Sequence, residues 1–130
     1  AASNDGSSLL EEMRVCYLLH RLHSSAAAPT GYDVLKMATR GSARLLGRDD
    51  LGQLAPGKAA DFFLVNLERL GLVGAQFDPM SMLGTVGFPG SVDYTVVGGV
   101  PVVQQGELTT VDETELVLKA NQVVRRYLGR

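Results

Sequence analysis

Two histidines are the residues whose type and spacing come nearest to a metal site. His20 and His23 stand three positions apart, so both imidazole rings lie on one face if the segment is helical. Imidazole nitrogen is a good zinc ligand, but a protein zinc site needs a third ligand and usually a fourth. We identify no third ligand for this pair. We therefore interpret both histidines as partly solvated residues near the end of a helix.

The other reactive side chains do not form a catalytic group either. Cys16 has no histidine in a convincing partner position and falls on an apolar face, which favours a buried, inert thiol. The carboxylates of Glu11-Glu12 and of Asp49-Asp50 are adjacent in sequence, so the members of each pair point apart. They are interpreted as caps or solvated charges. No catalytic and no metal-ligating residue is therefore assigned to this chain.

Composition narrows the class of protein. The chain has 130 residues, 45% of them hydrophobic and 20% charged, which suits one globular domain or part of a larger one. A net charge of -2 without a basic run offers no electrostatic surface for nucleic acid. The single cysteine excludes an internal disulfide and fits a reducing, cytoplasmic compartment. No apolar stretch has the length of a membrane span, and the polar N-terminus is unlike a signal peptide.

Capping signals predict two helices in the first part of the chain. Ser8 and Glu11 have the spacing of a capping box, and the helix that follows is expected to run to about Leu22. Its apolar residues occupy two opposite sides, which is typical of a helix buried between layers. A second helix is expected over 31–46, because Thr30-Gly31-Tyr32-Asp33 has the residues of a helix start.

Shorter elements are predicted after the second helix. Phe62-Phe63-Leu64-Val65 is a continuously apolar strand, and Asp78 is the expected N-cap of one or two helical turns. Gly98-Gly99 separates two β-rich runs, which is a strong hairpin signal. Asp112 opens a last helix. So few strands cannot close a barrel, and they predict at most part of a small sheet.

The stretch GQLAPGKAADFFLV, residues 52–65, resembles the signature of the amidohydrolase superfamily, G-x-L-x-P-G-K-x-A-D followed by an apolar strand. Pro56-Gly57 is expected to form a turn, and Asp61 is expected to bond local backbone groups at the strand entrance. Segments 38–47 and 97–108 are similar to the helix before this signature and to the late hairpin after it. The positions assigned to the structural signature are Gly52, Pro56, Gly57, Lys58 and Asp61.

The resemblance implies an α/β fragment. It would hold the last helices of a (β/α)8 TIM-type barrel, then the C-terminal strands of a small β-sandwich and a terminal helix. Residues 1–47 are expected to end the barrel domain, residues 48–111 to form the C-terminal share of the sandwich, and residues 112–130 to form the C-terminal helix. The signature would then mark the junction between barrel and sandwich.

The N-terminal stretch narrows the subgroup. Residues 2–14 are similar to the segment after barrel strand 8 in 8-oxoguanine deaminase, the hydroxyatrazine and triazine hydrolases, and the cytosine deaminase-like enzymes. In that group an Asp-Gly pair precedes the segment, and its Asp is a metal ligand and proton shuttle, expected here two residues before Ala1. Ser3, Asn4 and Asp5 are the candidates to line the substrate pocket, with helix entry and capping as the alternative role.

The resemblance also implies the chemistry of a parent enzyme. Zinc or iron would activate a water molecule, and hydroxide would attack an amidine carbon of an aromatic N-heterocycle such as an oxidised purine or a triazine. The histidine motifs that hold this metal in the family do not occur in residues 1–130. The chain alone is therefore expected to bind no metal and to be inactive.

The expected partners follow from the same resemblance. They are the rest of the enzyme chain, with the barrel and the N-terminal sandwich strands, a small heterocyclic substrate, and further copies in a homo-oligomer. No nucleic acid and no membrane are expected. The alternative is a non-catalytic structural or oligomerisation module derived from such an enzyme, which the two-sided apolar helix before Leu22 favours.

Overall fold

The computed structural model describes residues 8–88 and 90–129. They form two compact units, which we call the helical unit and the sheet unit. The helical unit contains the described chain up to Ala59 together with Asn66–Gly90, and the sheet unit contains Ala60–Val65 and the chain from Ser91 onwards. These limits differ from the three ranges expected from the resemblance, and the division into barrel, sandwich and terminal helix remains a prediction.

The predicted order of two helices, a strand, a short helix, a hairpin and a last helix is confirmed, with one further short strand after the hairpin. Within the described residues no helix combines the length and the apolar character needed to cross a bilayer. Single turns of 3-10 helix occur at Ser25–Ala27, Leu70–Leu72 and Ala75–Phe77. The other elements, besides one π-helical segment, are the helices α1 (Leu9–Ser24), α2 (Gly31–Lys36), α3 (Ser42–Leu45), α4 (Met82–Thr85) and α5 (Glu113–Tyr127), and the strands β1 (Phe62–Leu64), β2 (Tyr94–Val97), β3 (Val100–Gln104) and β4 (Glu107–Leu108).

The first two helices of the helical unit, α1 and α2, start at the predicted capping residues Ser8 and Thr30. The N–H of Glu11 donates to Ser8 Oγ at a long 3.4 Å, whereas Thr30 and Asp33 form a complete capping box. Asp33 N donates to Thr30 Oγ1 at 3.1 Å, and Thr30 N donates to Asp33 Oδ2 at 2.9 Å. Each bond satisfies a main-chain donor that has no partner inside the helix, which is why these residues fix the helix start.

The second predicted helix is continuous but not α-helical throughout. A π-helical segment at Met37–Gly41 separates α2 from α3. The Thr39 hydroxyl donates to the Leu35 carbonyl at 2.7 Å, a side-chain bond that competes with the helical ladder and helps to widen the turn. The predicted stop at Gly47 is confirmed, because its φ is +66° and Arg48 N donates to the Ala43 carbonyl at 2.9 Å.

The buried core lies in the helical unit. Gly31 of α2 and Gly84 of α4 lie so close that a Cβ on Gly84 would come within 3.0 Å of Gly31 Cα. The prediction that Asp78 is the N-cap of this helix was wrong, because α4 starts at Met82 with Ser81 as its N-cap. Asp78 Oδ1 accepts from Ser81 N at 3.2 Å in the turn before the helix. The buried apolar side chains are Met13, Val34, Ala43, Leu72, Ala75, Met82, Leu83 and Phe88.

The first helix leaves one of its two apolar sides uncovered. Met13 is buried and packs α1 into the helical unit, where its contacts are chiefly with α4. On the opposite side Val15, Leu18, Leu19 and Leu22 are 47–77% exposed. The expectation that this helix is enclosed between two layers therefore holds for one side only in the described residues.

The sheet unit is a four-stranded antiparallel sheet in the order β1-β2-β3-β4. The predicted hairpin is confirmed: β2 and β3 pair through the Gly98-Gly99 turn, where both residues have positive φ (57° and 80°). Pro101, which has no N–H to donate, stands opposite Val96, where the register shifts. None of the described residues of this unit is buried.

Candidate functional site

The predicted pocket residues Ser3, Asn4 and Asp5 lie outside the described residues. The described chain begins at Ser8, which precedes α1 and accepts the first main-chain bond of that helix from Glu12 N at 3.1 Å. The assignment of the three residues to a substrate pocket therefore stays a prediction.

The structure supplies no metal centre from the residues that it describes. His20 and His23 are exposed on α1, and Cys16 on the same helix is a half-buried free thiol. Within residues 8–88 and 90–129 no three histidine, cysteine or acidic side chains are close enough together to hold a metal ion. The metal implied by the resemblance therefore does not fit these residues.

The signature is built as a closed loop in the helical unit, which we call the signature loop (residues 48–59). Lys58 N donates to the Ala55 carbonyl at 3.1 Å, and Gly57 has φ +81°, which places Pro56-Gly57 at the centre of a turn as predicted. The base of the loop is closed by Ala59 N, which donates to the Asp50 carbonyl at 2.9 Å.

Lys58 has a structural role in this loop. Its ammonium group donates to the Asp49 carbonyl at 2.5 Å and so ties the end of the loop to its beginning. Arg48 holds Asp50 through two bonds, Nε to Oδ1 at 2.6 Å and Nη2 to Oδ2 at 2.5 Å. These Arg48 hydrogen bonds lower the pKa of the Asp50 carboxyl. Arg48 before the signature and Lys58 within it thus both fix the loop by contacts inside it.

Gly52 is the position where the signature loop touches the π-helical segment. Its φ is +83°, and a Cβ there would lie 2.9 Å from Arg40 Cα and 2.9 Å from the Thr39 carbonyl oxygen. Real Cβ atoms do not approach backbone atoms that closely, so only glycine fits at this contact. The signature glycine is therefore required by packing against the preceding helix.

A cavity of about 380 Å³ opens between this loop and α3. Its charged lining consists of three arginines and one aspartate. Its lining residues are Arg40, Ala43, Arg44, Gly47, Arg48, Asp49, Leu51 and Gln53.

Asp61 acts in the sheet unit, and its partner differs from the prediction. Asp61 Oδ1 accepts from the main-chain N–H of Gly98 at 2.6 Å, across 37 residues of sequence. Next to it, Gly99 N donates to the Ala60 carbonyl at 3.1 Å. The expectation of a bond to local backbone groups was wrong.

Comparison with known proteins extends this picture. The model of the amidohydrolase family matches residues 1–102. The chain is 48% identical over 130 residues to hydroxydechloroatrazine ethylaminohydrolase of Pseudomonas sp. strain ADP, covering 98% of this chain and 27% of the relative. It is 41% identical over 119 residues to 8-oxoguanine deaminase of Pseudomonas aeruginosa, covering 92% of this chain and 26% of the relative.

A solved structure shares the fold. The crystal structure of atrazine chlorohydrolase from Arthrobacter aurescens TC1 complexed with zinc superposes with a TM-score of 0.84 at 33% identity. The match covers 95% of this chain and 28% of that protein. The chain thus spans about a quarter of the length of the relatives it matches. Because the family model matches most of its residues, the chain belongs to the amidohydrolase family.

Proposed function

We propose that this chain is the C-terminal segment of a metal-dependent hydrolase or deaminase. The parent enzyme acts on C–N bonds other than peptide bonds in aromatic N-heterocycles such as oxidised purines or triazines. One observation carries this proposal: the similarity to hydroxydechloroatrazine ethylaminohydrolase extends over 98% of the chain. The similarity to 8-oxoguanine deaminase supports the same class of substrate.

In the parent enzyme the helical unit belongs to the end of a (β/α)8 barrel and the sheet unit to a small β-sandwich. The boundary between the two units supports this architecture, because it falls between Ala59 and Ala60, within the signature that was interpreted as the junction. The contacts of Gly52, Lys58 and Asp61 support a structural role for the signature, since each of them joins chain segments and none reaches a reactive group.

The reaction adds water to an amidine carbon of the ring and releases ammonia or an amine. The groups that activate this water belong to the parent outside residues 1–130, because the described residues offer no metal site. Ser3, Asn4 and Asp5 line the mouth of the substrate pocket, where the active sites of such barrels lie. The metal of the parent is zinc or iron, and the zinc in the similar atrazine chlorohydrolase supports this choice. The parent is a cytoplasmic homo-oligomer.

The test is an assay of the purified full-length enzyme. Hydroxydechloroatrazine and 8-oxoguanine are supplied separately, and released amine or ammonia is measured together with the metal content. We expect turnover on at least one of the two ring classes and its loss in enzyme depleted of metal by a chelator. A metal-loaded, folded enzyme without activity on either ring class contradicts the proposal.

The second candidate function is a non-catalytic structural or oligomerisation module. The uncovered side of α1, with Leu18, Leu19 and Leu22 exposed, favours it. The upstream gene sequence separates the candidates, because an in-frame Asp-Gly pair before Ala1 with histidine motifs further upstream supports the enzyme. A genuine start codon at that point supports the module. Light scattering on residues 1–130 then tests self-association, and a monomer counts against the module.

A further inference from the structure

Helix α5 is held firmly at its start, although none of its described residues is buried. Asp112 Oδ1 accepts from Glu115 N at 2.9 Å, which caps the helix. Glu113 Oε1 accepts from the main-chain N–H of Leu108 at 2.9 Å, which ties the first turn to β4. These two bonds hold the first turn of the helix at β4.

An apolar stripe runs along the length of this helix. At 100° per residue its members cover an arc of about 140° of the helix surface. Those with a large side chain are 51–89% exposed. Leu118 is the large apolar residue that falls outside the stripe, about 200° from Leu116. The stripe, as we use the term below, consists of Leu116, Val117, Ala120, Val123, Val124, Tyr127 and Leu128.

The width of the stripe indicates what covers it. A helix that pairs with one other helix in a coiled coil needs only a narrow seam, whereas a stripe wider than about 100° is typical of a helix that packs on a globular layer. A stable dimer contact uses about 20–30 residues from each partner, and the stripe supplies well under half that number. The stripe alone is therefore too small to hold a second copy of the chain in a stable dimer.

We infer that the stripe of α5 docks onto the part of its own polypeptide that lies outside residues 1–130. This inference depends on one part of the proposed function, namely that the chain is part of a longer enzyme. The similar relatives are about four times as long as this chain, since the match covers 27% of the first of them. A surface of the same chain meets the helix at high effective concentration, so a contact of this size holds without further area.

Two basic residues of α5 lie along one edge of the stripe. Lys119 and Arg126 border the same edge. Lys119 is already paired with Glu115 at 2.6 Å, whereas Arg126 has no ion-pair partner in the part of the chain that the structure describes. The receiving surface is therefore apolar where it meets the stripe, and Arg126 at the edge is the cation that a carboxylate on its rim would pair with.

The test compares two substitutions of the same residue type on the same helix in the full-length enzyme. Leu116→Asp places a carboxylate on the stripe, and Leu118→Asp places one outside it. The two leucines are similarly exposed in residues 1–130, at 51% for Leu116 and 58% for Leu118. We expect Leu116→Asp to lower the thermal midpoint by about 3 °C or more and Leu118→Asp to change it by less than about 1 °C. Val123→Thr, a milder change within the stripe, should lower the midpoint by an intermediate amount.

Each outcome decides the inference. Equal midpoints for the stripe variants and Leu118→Asp overturn it, because they mean that the stripe stays exposed. A Leu116→Asp variant that halves the mass in sedimentation also overturns it and assigns the stripe to a second copy. If Leu116→Asp is insoluble while Leu118→Asp is normal, a lowered midpoint of Val123→Thr supports the inference and an unchanged one overturns it. Wild-type turnover is measured separately and tests the proposed function alone.

Discussion

The carboxylate of Asp61 accepts a hydrogen bond of 2.6 Å from the main-chain N–H of Gly98, 37 residues further along the chain. The neighbouring bond from Gly99 N to the Ala60 carbonyl makes the contact two-pronged. The last acid of the signature therefore holds the turn of the β2-β3 hairpin. The end of the signature, from Ala60 onwards, and the late hairpin therefore belong to the same sheet unit, although they are separate similarities in the sequence.

Removing the Asp61 acceptor should loosen the hairpin turn. Asp61→Ala leaves the Gly98 N–H without its partner, and a net loss of about 1–2 kcal/mol is expected for a charged acceptor at an exposed site. Asp61→Asn keeps an oxygen acceptor and should lose less. Hydrogen exchange at Gly98 in the full-length protein measures the effect. Exchange that is equally slow in wild type and Asp61→Ala would show that the bond does not protect the turn.

Two signature glycines should respond differently to the same substitution. Gly52 and Gly57 both have φ near +80°, so alanine brings similar backbone strain at each. Only at Gly52 does the new Cβ meet backbone, 2.9 Å from Arg40 Cα, whereas at Gly57 nothing lies within 4 Å. Gly52→Ala should therefore cost about 1–3 kcal/mol more stability than Gly57→Ala, and thermal melting of both variants measures the difference. Equal midpoints would contradict the close contact at Gly52.

Local signals were enough to place most elements. The cap at Thr30 and Asp33, the stop at Gly47, the Gly98-Gly99 turn and the cap at Asp112 all lie where the sequence puts them. Each depends on side-chain bonds or on a backbone conformation within a few residues, which a sequence displays directly. The turn at Pro56-Gly57 in the signature loop was predictable for the same reason.

Features that depend on distant segments were not predictable. The π-helical segment at Met37–Gly41 was not predicted, and its neighbour across the packing contact is Gly52. The partner of Asp61 lies in the β2-β3 turn, 37 residues away, so its position follows from the pairing of β1 with β2 and not from the signature. The candidate pocket residues Ser3, Asn4 and Asp5 lie outside the described residues, so their assignment stays a prediction.

The capping carboxylate Asp33 should give stability that disappears in acid. Lys36 and then Thr30 donate hydrogen bonds to it and hold its pKa well below the ordinary range. Because the folded-state pKa is lowered, the stabilisation is present above the unfolded pKa of about 4 and is lost as pH falls through the lower folded value. Lys36→Met removes the largest cause, so the pKa of Asp33 should rise towards its ordinary range.

NMR titration of the Asp33 carboxyl below pH 4 measures this shift. Lys119→Met is the matched control, because it removes an exposed lysine from another ion pair, with Glu115, and leaves Asp33 untouched. The control should titrate Asp33 as the wild type does. A Lys36→Met variant with an unshifted Asp33 titration would show that Lys36 does not hold the carboxylate.

Residues 1–130, prepared alone, should hold no stoichiometric zinc or iron and should release no amine from hydroxydechloroatrazine or 8-oxoguanine. The physical reason is the ligand count, because the described residues bring no three histidine, cysteine or acidic groups together, and a zinc site needs at least that number. Metal analysis after dialysis against a weak chelator, with the full-length enzyme in parallel, makes the measurement. A His20→Ala/His23→Ala double variant identifies loose binding by the exposed pair on α1. About one zinc per wild-type chain, together with turnover, would place the metal site within these residues and refute the assignment of the chemistry to the rest of the parent enzyme.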